Sequence, residues 1–150
     1  MLVPPEDLRG EAISLLQSAD VQQALLVGNF KEAKIGLLAT LAELGIAVER
    51  QTERDASALA AAVAEHAGVG TGAAHSGDAV IVVNDAEPTG AIAAALLAAF
   101  GSLPWLITPA EGLHPSTAGF IADNEVGRVL LVGPATDFSP DIDDMLYIIK

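Results

Sequence analysis

The sequence predicts a three-layer α/β fold: a mostly parallel, doubly wound sheet with helices on both faces. Short runs rich in Val, Ile and Leu alternate with longer segments of helical pattern, many of them rich in Ala. Most of the short runs are continuously apolar, as expected for strands that are covered on both faces. Aromatic residues make up only 4% of the chain, so the core must close by near contact between helices and sheet.

Six strands and six helices are predicted in alternation. Gly45 and Gly101 each follow a predicted helix, and Pro140 stands at the first position of another. We expect strand 79–83 at the centre of the sheet and helix 90–100 to be buried. The predicted strands are 24–27, 46–48, 79–83, 105–107, 129–132 and 146–149, and the predicted helices are 6–19, 31–44, 56–67, 90–100, 116–124 and 140–145.

Composition limits the class of protein. A chain of 150 residues that is 51% hydrophobic can build one core, so we expect a single domain over 1–150. The net charge of −13 repels a phosphate backbone and argues against nucleic acid as a partner. The same charge keeps an apolar, Ala-rich chain soluble. The absence of cysteine excludes disulfides, thiolate metal sites and cysteine nucleophiles.

Targeting signals leave two locations open. Residues 1–7 lack the basic and apolar regions of a secretory signal, so we expect either an intracellular protein or a piece of a longer secreted chain. The most apolar stretch, 91–103, is shorter than the ~20 residues that cross a bilayer. It therefore predicts a buried helix and no membrane insertion.

The two ends of the chain resemble each other. Residues 2–28 run from a Pro-containing start through a helix to a strand ending in Gly, and residues 113–133 do the same. This predicts one full repeat period, about 46–150, preceded by a half-unit, about 1–45. The alternative is that the likeness is not a repeat, because any two stretches with the same order of strand, loop and helix look alike when only their patterns are compared.

Three consecutive segments resemble a known family of modules. They are VIVVN at 80–84, GAIAAALLAA at 90–99 and PWLIT at 104–108. In this order they resemble the strand, the helix and the Pro-Leu-Leu-Thr strand of the cell wall-binding repeat 2 family. Modules of this family attach secreted bacterial surface proteins non-covalently to wall polymers. The resemblance runs from about 48 to 146.

A further part of the resemblance lies before the third predicted helix. Arg50, Arg54 and Ser57 are similar to the family's stretch in which an Arg precedes an Arg-Tyr-x-Thr-Ala helix start. The sequence departs from the family pattern at Asp55, where an aromatic residue is usual, and at Gly90, where an Asp is usual. The departures affect ligand specificity more than fold.

The resemblance implies a non-catalytic module in an extracellular, wall-bound location, with the cytoplasm as the alternative. The implied partner is a cell-wall polysaccharide or an anionic wall polymer. Because modules of this family pack against one another, we also expect a homo-oligomer or packing against sister modules. The predicted ligand-binding residues are Arg50, Arg54, Ser57, Asn84 and Thr108. The two Arg side chains suit bidentate contact with an acidic sugar, and the alternative is pairing with neighbouring acids.

No residue pattern predicts catalysis, a metal or a cofactor. The glycine-rich run 68–72 follows a helix and precedes a strand, the reverse of a phosphate-binding loop, and so predicts a surface loop. Gly28 and Gly133 follow strands and predict tight turns. His66, His75 and His114 lack metal-ligand spacing, and Asp137, Asp141, Asp143 and Asp144 are interpreted as stabilising a helix start, not as a calcium site.

Two other functions stay open. One is an intracellular α/β domain for small-molecule binding or regulation, whose crevice would lie near Asn84, Thr108 and Gly133, beyond the ends of parallel strands. The other is a self-assembling structural subunit, in which the half-units at the two ends pair between chains.

Overall fold

Helices and strands alternate along the described residues, and every strand pair among them is parallel. This confirms the predicted α/β class. No helix in the described part of the chain has the length and hydropathy that a membrane crossing needs. The computed structural model describes residues 10–28, 35–67, 79–86 and 88–148.

The chain is divided into two compact units, Met1–Glu53 and Arg54–Lys150. Each unit has its own parallel sheet, with two strands in the first and three in the second. The prediction of a single domain, built from a half-unit and one repeat period, stays a prediction.

In the first unit, two helices pack on a two-stranded sheet. The elements are α1 (Gly10–Ser18), β1 (Gln23–Val27), α2 (Ile35–Glu43) and β2 (Ala47–Gln51). Strand β1 runs beside β2 from Gln23 opposite Ala47 to Val27 opposite Gln51. The buried centre consists of Leu37, Leu41 and Ile46, and apolar residues of α1, β1 and β2 pack around it.

Helix α2 ends where the sequence predicts, at a glycine. Gly45 has φ of +73°, and the amide of Ile46 donates to the carbonyl of Leu41 at 2.9 Å. A left-handed residue at this position lets the chain turn back and bond the last carbonyls of the helix. Glycine adopts this conformation without strain.

Three other turns carry a left-handed residue that is not glycine. Asp20, Ser102 and Glu125 have φ of 49°, 50° and 50°. Each follows a helix and precedes an amide that bonds back to that helix, as Val126 does to Ile121 at 3.1 Å. The predicted stop at Gly101 is therefore wrong by one residue, because Gly101 is still helical and Ser102 makes the turn.

The second unit holds a three-stranded sheet whose central strand is β3 (Ala79–Asn84). The other strands are β4 (Trp105–Thr108) and β5 (Arg128–Val132), in the order β4-β3-β5. All six residues of β3 are buried, which confirms the central position predicted from its continuous apolar run. The helices are α3 (Ala56–His66), α4 (Pro88–Gly101), α5 (Pro115–Asp123) and α6 (Ile142–Ile148), with a short 3-10 turn at Ala135–Asp137.

Successive side chains of β3 enter two different cores. Val80 and Val82 belong to a cluster with residues of α3 and α5, including Phe120. Ile81 and Val83 belong to a cluster on the opposite face with Ala94 of α4. Helix α4 thus covers one face on the way to β4, and α5 covers the other on the way back to β5. The unit is a three-layer, doubly wound arrangement, as predicted.

The predicted last strand, 146–149, is wrong. Residues 146–148 continue α6, which runs from Ile142 to Ile148. The sequence places no glycine, proline or turn residue between 145 and 146, so nothing ends the helix there. Leu146 is partly buried against the cluster on the α3 and α5 face, which holds the extra turn as helix. The described residues of this segment, 146–148, therefore do not form the sixth predicted strand.

Candidate binding site

Two predicted site residues lie side by side at the carboxyl end of the second sheet. Asn84 is the last residue of β3 and Thr108 the last of β4, and the register places them opposite each other. Both are buried, with 4% and 0% of their surface exposed. Parallel strands bring their carboxyl ends to one edge, which is where such sheets present ligand crevices.

The polar atoms of this pair are used to hold the chain. The Thr108 hydroxyl donates to the carbonyl of Gly112 at 2.7 Å and accepts from the amide of His114 at 2.8 Å. These two bonds fix the loop between β4 and α5. The Asn84 side chain accepts from the amide of Ala86 at 2.7 Å and so fixes the turn after β3. Both side chains stabilise the loops that border the edge.

His114 connects this edge to the start of α3. Its Nδ1 accepts from the amide of Ser116 at 3.2 Å and caps α5. Its Nε2 lies 3.7 Å from Oδ1 of Asp55, an ion pair when the imidazole is protonated. The same Asp55 oxygen accepts from the amide of Ala58 at 2.7 Å and caps α3. One carboxylate thus joins the amino ends of α3 and α5.

The remaining predicted residues differ in accessibility. Ser57 is buried in the first turn of α3, with 4% of its surface exposed, so it can meet a ligand only if neighbouring residues move. Arg54 is exposed and directly precedes Asp55. Arg50 is exposed on β2 of the first unit, where it lies opposite Leu26. Arg54 and Ser57 therefore flank the Asp55 cap within one short stretch.

Neither predicted arginine is paired within the described residues. Arg50 and Arg54 have no hydrogen bond or ion pair with any residue in 10–28, 35–67, 79–86 or 88–148. The pairing with neighbouring acids that the sequence left open is thus not formed within these ranges. The guanidinium of Arg54 keeps its five N–H donors for water or a ligand.

The other sequence candidates fall into structural roles or outside the described residues. Gly28 and Gly133 have φ of 125° and 150°, which agrees with tight turns. Asp143 and Asp144 lie in the first turn of α6, where acids stabilise a helix. No group of three or more potential metal ligands occurs in the described part of the chain. The glycine-rich run 68–72 and His75 lie outside the described residues.

No ligand role for Asp55 or His114 is predicted from the sequence, although His114 contacts both Asp55 and Thr108. The signals for them were an Asp directly before a predicted helix and a His directly before Pro115. Both positions are typical of helix starts, and in the structure each residue caps its helix. The 3.7 Å approach of the two side chains is a tertiary contact between residues 59 positions apart, since 114 − 55 = 59, and no local pattern encodes it.

Comparison with known proteins gives no relative. No family model matches the chain, and no curated protein and no solved structure matches it. Membership of the cell wall-binding repeat 2 family therefore stays a prediction based on the order of the motifs.

Proposed function

We propose that this chain is a non-catalytic binding module that attaches a longer bacterial surface protein to a carboxylate-bearing polysaccharide of the cell wall. The supporting observation is Arg54, which is exposed at the start of α3 and unpaired within the described residues. A guanidinium binds a carboxylate in a bidentate, planar geometry, which suits an acidic sugar.

The neighbouring acid leaves Arg54 available. Asp55 directs its Oδ1 to the amide of Ala58 at 2.7 Å and lies 3.7 Å from His114, so its carboxylate already serves the fold. A ligand carboxylate would therefore find a cation that is not committed elsewhere among the described residues. The ordered motifs from 80 to 108 supply the second line of support, through the resemblance to wall-binding modules.

The net charge limits the class of polymer. At −13 the chain repels a densely charged polyphosphate, whereas a polysaccharide with scattered carboxylates contacts one cation at a time. Salt screens the more distant acids beyond about 8 Å under physiological conditions, so a local Arg contact survives the overall repulsion. Each contact is weak, and repeated display along a polymer raises the overall affinity.

The bonding of Thr108 and His114 supports a non-catalytic role. The Thr108 hydroxyl bonds two backbone groups, and the His114 ring caps a helix with Nδ1. Neither is positioned as a nucleophile with its base, the pair on which acyl-transfer catalysis depends. The same bonds disfavour the alternative of a small-molecule crevice here, because the polar groups that would orient a ligand already hold the loops.

Wall binding can be tested with three single variants. Purified bacterial walls are incubated with the chain and sedimented, and the bound fraction is measured with and without soluble polygalacturonate as a carboxylate competitor. We expect Arg54→Ala to weaken binding about tenfold, because a charge-assisted hydrogen-bond pair is lost, and Arg54→Lys to weaken it less. Arg128→Ala is the matched control, since Arg128 is also exposed in the same unit but stands at the start of β5.

The outcome separates the proposal from general charge effects. If the wild-type chain does not sediment with walls, wall attachment is wrong. If Arg54→Ala and Arg128→Ala weaken binding equally, the interaction is unspecific and the assigned site is wrong. Competition by polygalacturonate but not by neutral dextran is the result that supports a carboxylate-bearing ligand.

A further inference from the structure

Helix α4 carries its large apolar side chains on the outside. Gly90 and Ala94 are buried on the side facing the sheet, where Ala94 packs against Ile81 and Val83 and has 0% of its surface exposed. A Cβ at Gly90 would lie 3.2 Å from the carbonyl oxygen of Val132, a tighter contact than usual, so glycine suits this close approach. The smallest residues of the helix therefore meet the sheet.

The outer face of α4, which points away from the sheet, carries the large apolar side chains. Ile92, Leu96, Leu97 and Phe100 are exposed by 67%, 61%, 45% and 91%. An amphipathic helix buries its large apolar residues and presents polar ones to water. In α4, by contrast, the large apolar residues are exposed to water. The prediction that the whole helix is buried is therefore wrong for its outer face. A face of this kind is stable in water only when something covers it.

Three of these residues form a ridge along the helix. Ile92, Leu96 and Phe100 are four residues apart, so they lie above one another on one side of α4. From Ile92 to Phe100 the ridge is about 12 Å long, at 1.5 Å per residue. Ala93 and Ala99 are also exposed, and their small side chains let a second helix come close.

We propose that this ridge is the contact between two copies of the chain, which pack α4 against α4 in antiparallel orientation around a two-fold axis at Leu96. The positions of the ridge are spaced symmetrically about Leu96, with Ile92 four residues before it and Phe100 four residues after it. An antiparallel pair therefore places Leu96 beside Leu96 of the other copy and Phe100 beside Ile92 of the other copy. A surface that is complementary to itself in this way fits the isologous contact of a two-fold dimer.

The available area agrees with a pair. From their exposed fractions, the four side chains present roughly 500 Å² per copy, as large as the biggest apolar patch of an ordinary monomer. Pairing two such faces buries roughly 1,000 Å² in total, which is the area that a specific interface needs. A single helix crossing of this size gives a reversible dimer.

Charge favours a second copy over other occupants. Residues 88–110 contain no charged side chain, while the chain as a whole carries −13. An anionic lipid surface is repelled by this net charge, and the neutral ridge attracts no oppositely charged partner. In the proposed pair, two copies meet along a stretch of sequence in which neither carries an acid. Their remaining mutual repulsion is long-range, so salt strengthens the pair.

The first test measures the oligomeric state as a function of concentration and salt. Sedimentation velocity is run from about 1 to 100 µM in about 50 and 500 mM NaCl. We expect a monomer–dimer equilibrium that shifts toward dimer at high salt. Leu96→Glu should raise the dissociation constant about 100-fold, because two carboxylates would meet at the axis. Leu15→Glu is the matched control, since Leu15 has 57% of its surface exposed but lies on α1.

The second test uses the absence of cysteine in the chain. Under oxidation, Leu96→Cys should cross-link to itself, because the two Cα atoms meet at the axis within the ~7 Å that a disulfide spans. Ile92→Cys and Phe100→Cys should not cross-link alone, since each lies about 12 Å along the axis from its own counterpart. Mixed together, these two variants should cross-link to each other.

Several results would overturn the proposal. A wild-type chain that stays monomeric at both salt concentrations shows that α4 is not a self-association surface. Equal dissociation constants for Leu96→Glu and Leu15→Glu place the dimer contact elsewhere. Cross-linking of Ile92→Cys with itself shows a parallel pair and contradicts the two-fold arrangement. None of these measurements depends on wall binding, so the two proposals fail separately.

Discussion

A glutamate at position 94 tests the packing of α4 on the sheet, and a glutamate at position 95 provides its control. Ala94 is fully buried against Ile81 and Val83, whereas Ala95 is exposed on the same helix. The sequence predicts that both are buried, which is wrong for Ala95. We expect Ala94→Glu to destabilise the second unit strongly and Ala95→Glu to change stability by less than about 0.5 kcal/mol.

The expected loss at Ala94 can be worked out from its surroundings. The new carboxylate would enter an apolar cluster, so at pH 7 it must either stay charged without a partner or take up a proton. Protonating a carboxyl group with an ordinary pKa near 4.3 costs about 3.7 kcal/mol at pH 7. Forcing the longer side chain into a filled contact adds about 1–3 kcal/mol. The loss is therefore about 5–7 kcal/mol, a large part of the stability of an ordinary domain.

Urea unfolding followed by tryptophan fluorescence measures this loss. Trp105 is the only tryptophan and packs in the same cluster as Ala94, so its signal reports the unit in question. Unfolding midpoints are compared for the wild type, Ala94→Glu and Ala95→Glu. A wild-type midpoint for Ala94→Glu, or equal losses for the two variants, would refute the orientation of α4.

Two further predictions concern the loop after β4 and the end of α5. Thr108→Val keeps the side-chain volume but removes both backbone hydrogen bonds of the hydroxyl, so we expect a loss of about 2 kcal/mol in urea unfolding, and a loss under about 0.5 kcal/mol would contradict the role of that hydroxyl. Glu125→Gly relieves a left-handed residue with φ of 50° and should stabilise the chain by about 0.5–1 kcal/mol in thermal unfolding. Ala122→Gly, within α5, should destabilise by a similar amount, and a gain in both variants would show that φ is not the cause.

The sequence predicts much of the second unit because its signals there are local. The run from Ala79 to Val83 is apolar without interruption, a pattern typical of a strand covered on both faces. Pro115 at the start of α5 and Asp55 before α3 are likewise local signals, and both helices begin where these residues indicate. The paired positions of Asn84 and Thr108 follow from two strands predicted to be parallel neighbours.

The candidate site was less predictable. That Thr108 holds a loop, and that Asp55 meets His114, depends on how β4, α3 and α5 converge in space. Ser57 is buried and Arg54 is exposed, although both stand in the same short stretch of sequence. Proximity of this kind is set by packing between distant segments, and a single sequence carries no record of it.

The sequence by itself determined the α/β class, the central place of β3 and the end of α2 at Gly45, because apolar continuity and glycine conformation act over a few residues. Only the tertiary structure decided which side of α4 faces the sheet. Periodicity separates apolar from polar positions, and between Gly90 and Gly101 the helix has no polar side chain to separate. Steric fit made the choice instead: the sheet accepts Gly90 and Ala94 at close range, and the larger side chains, Phe100 among them, are left on the outside.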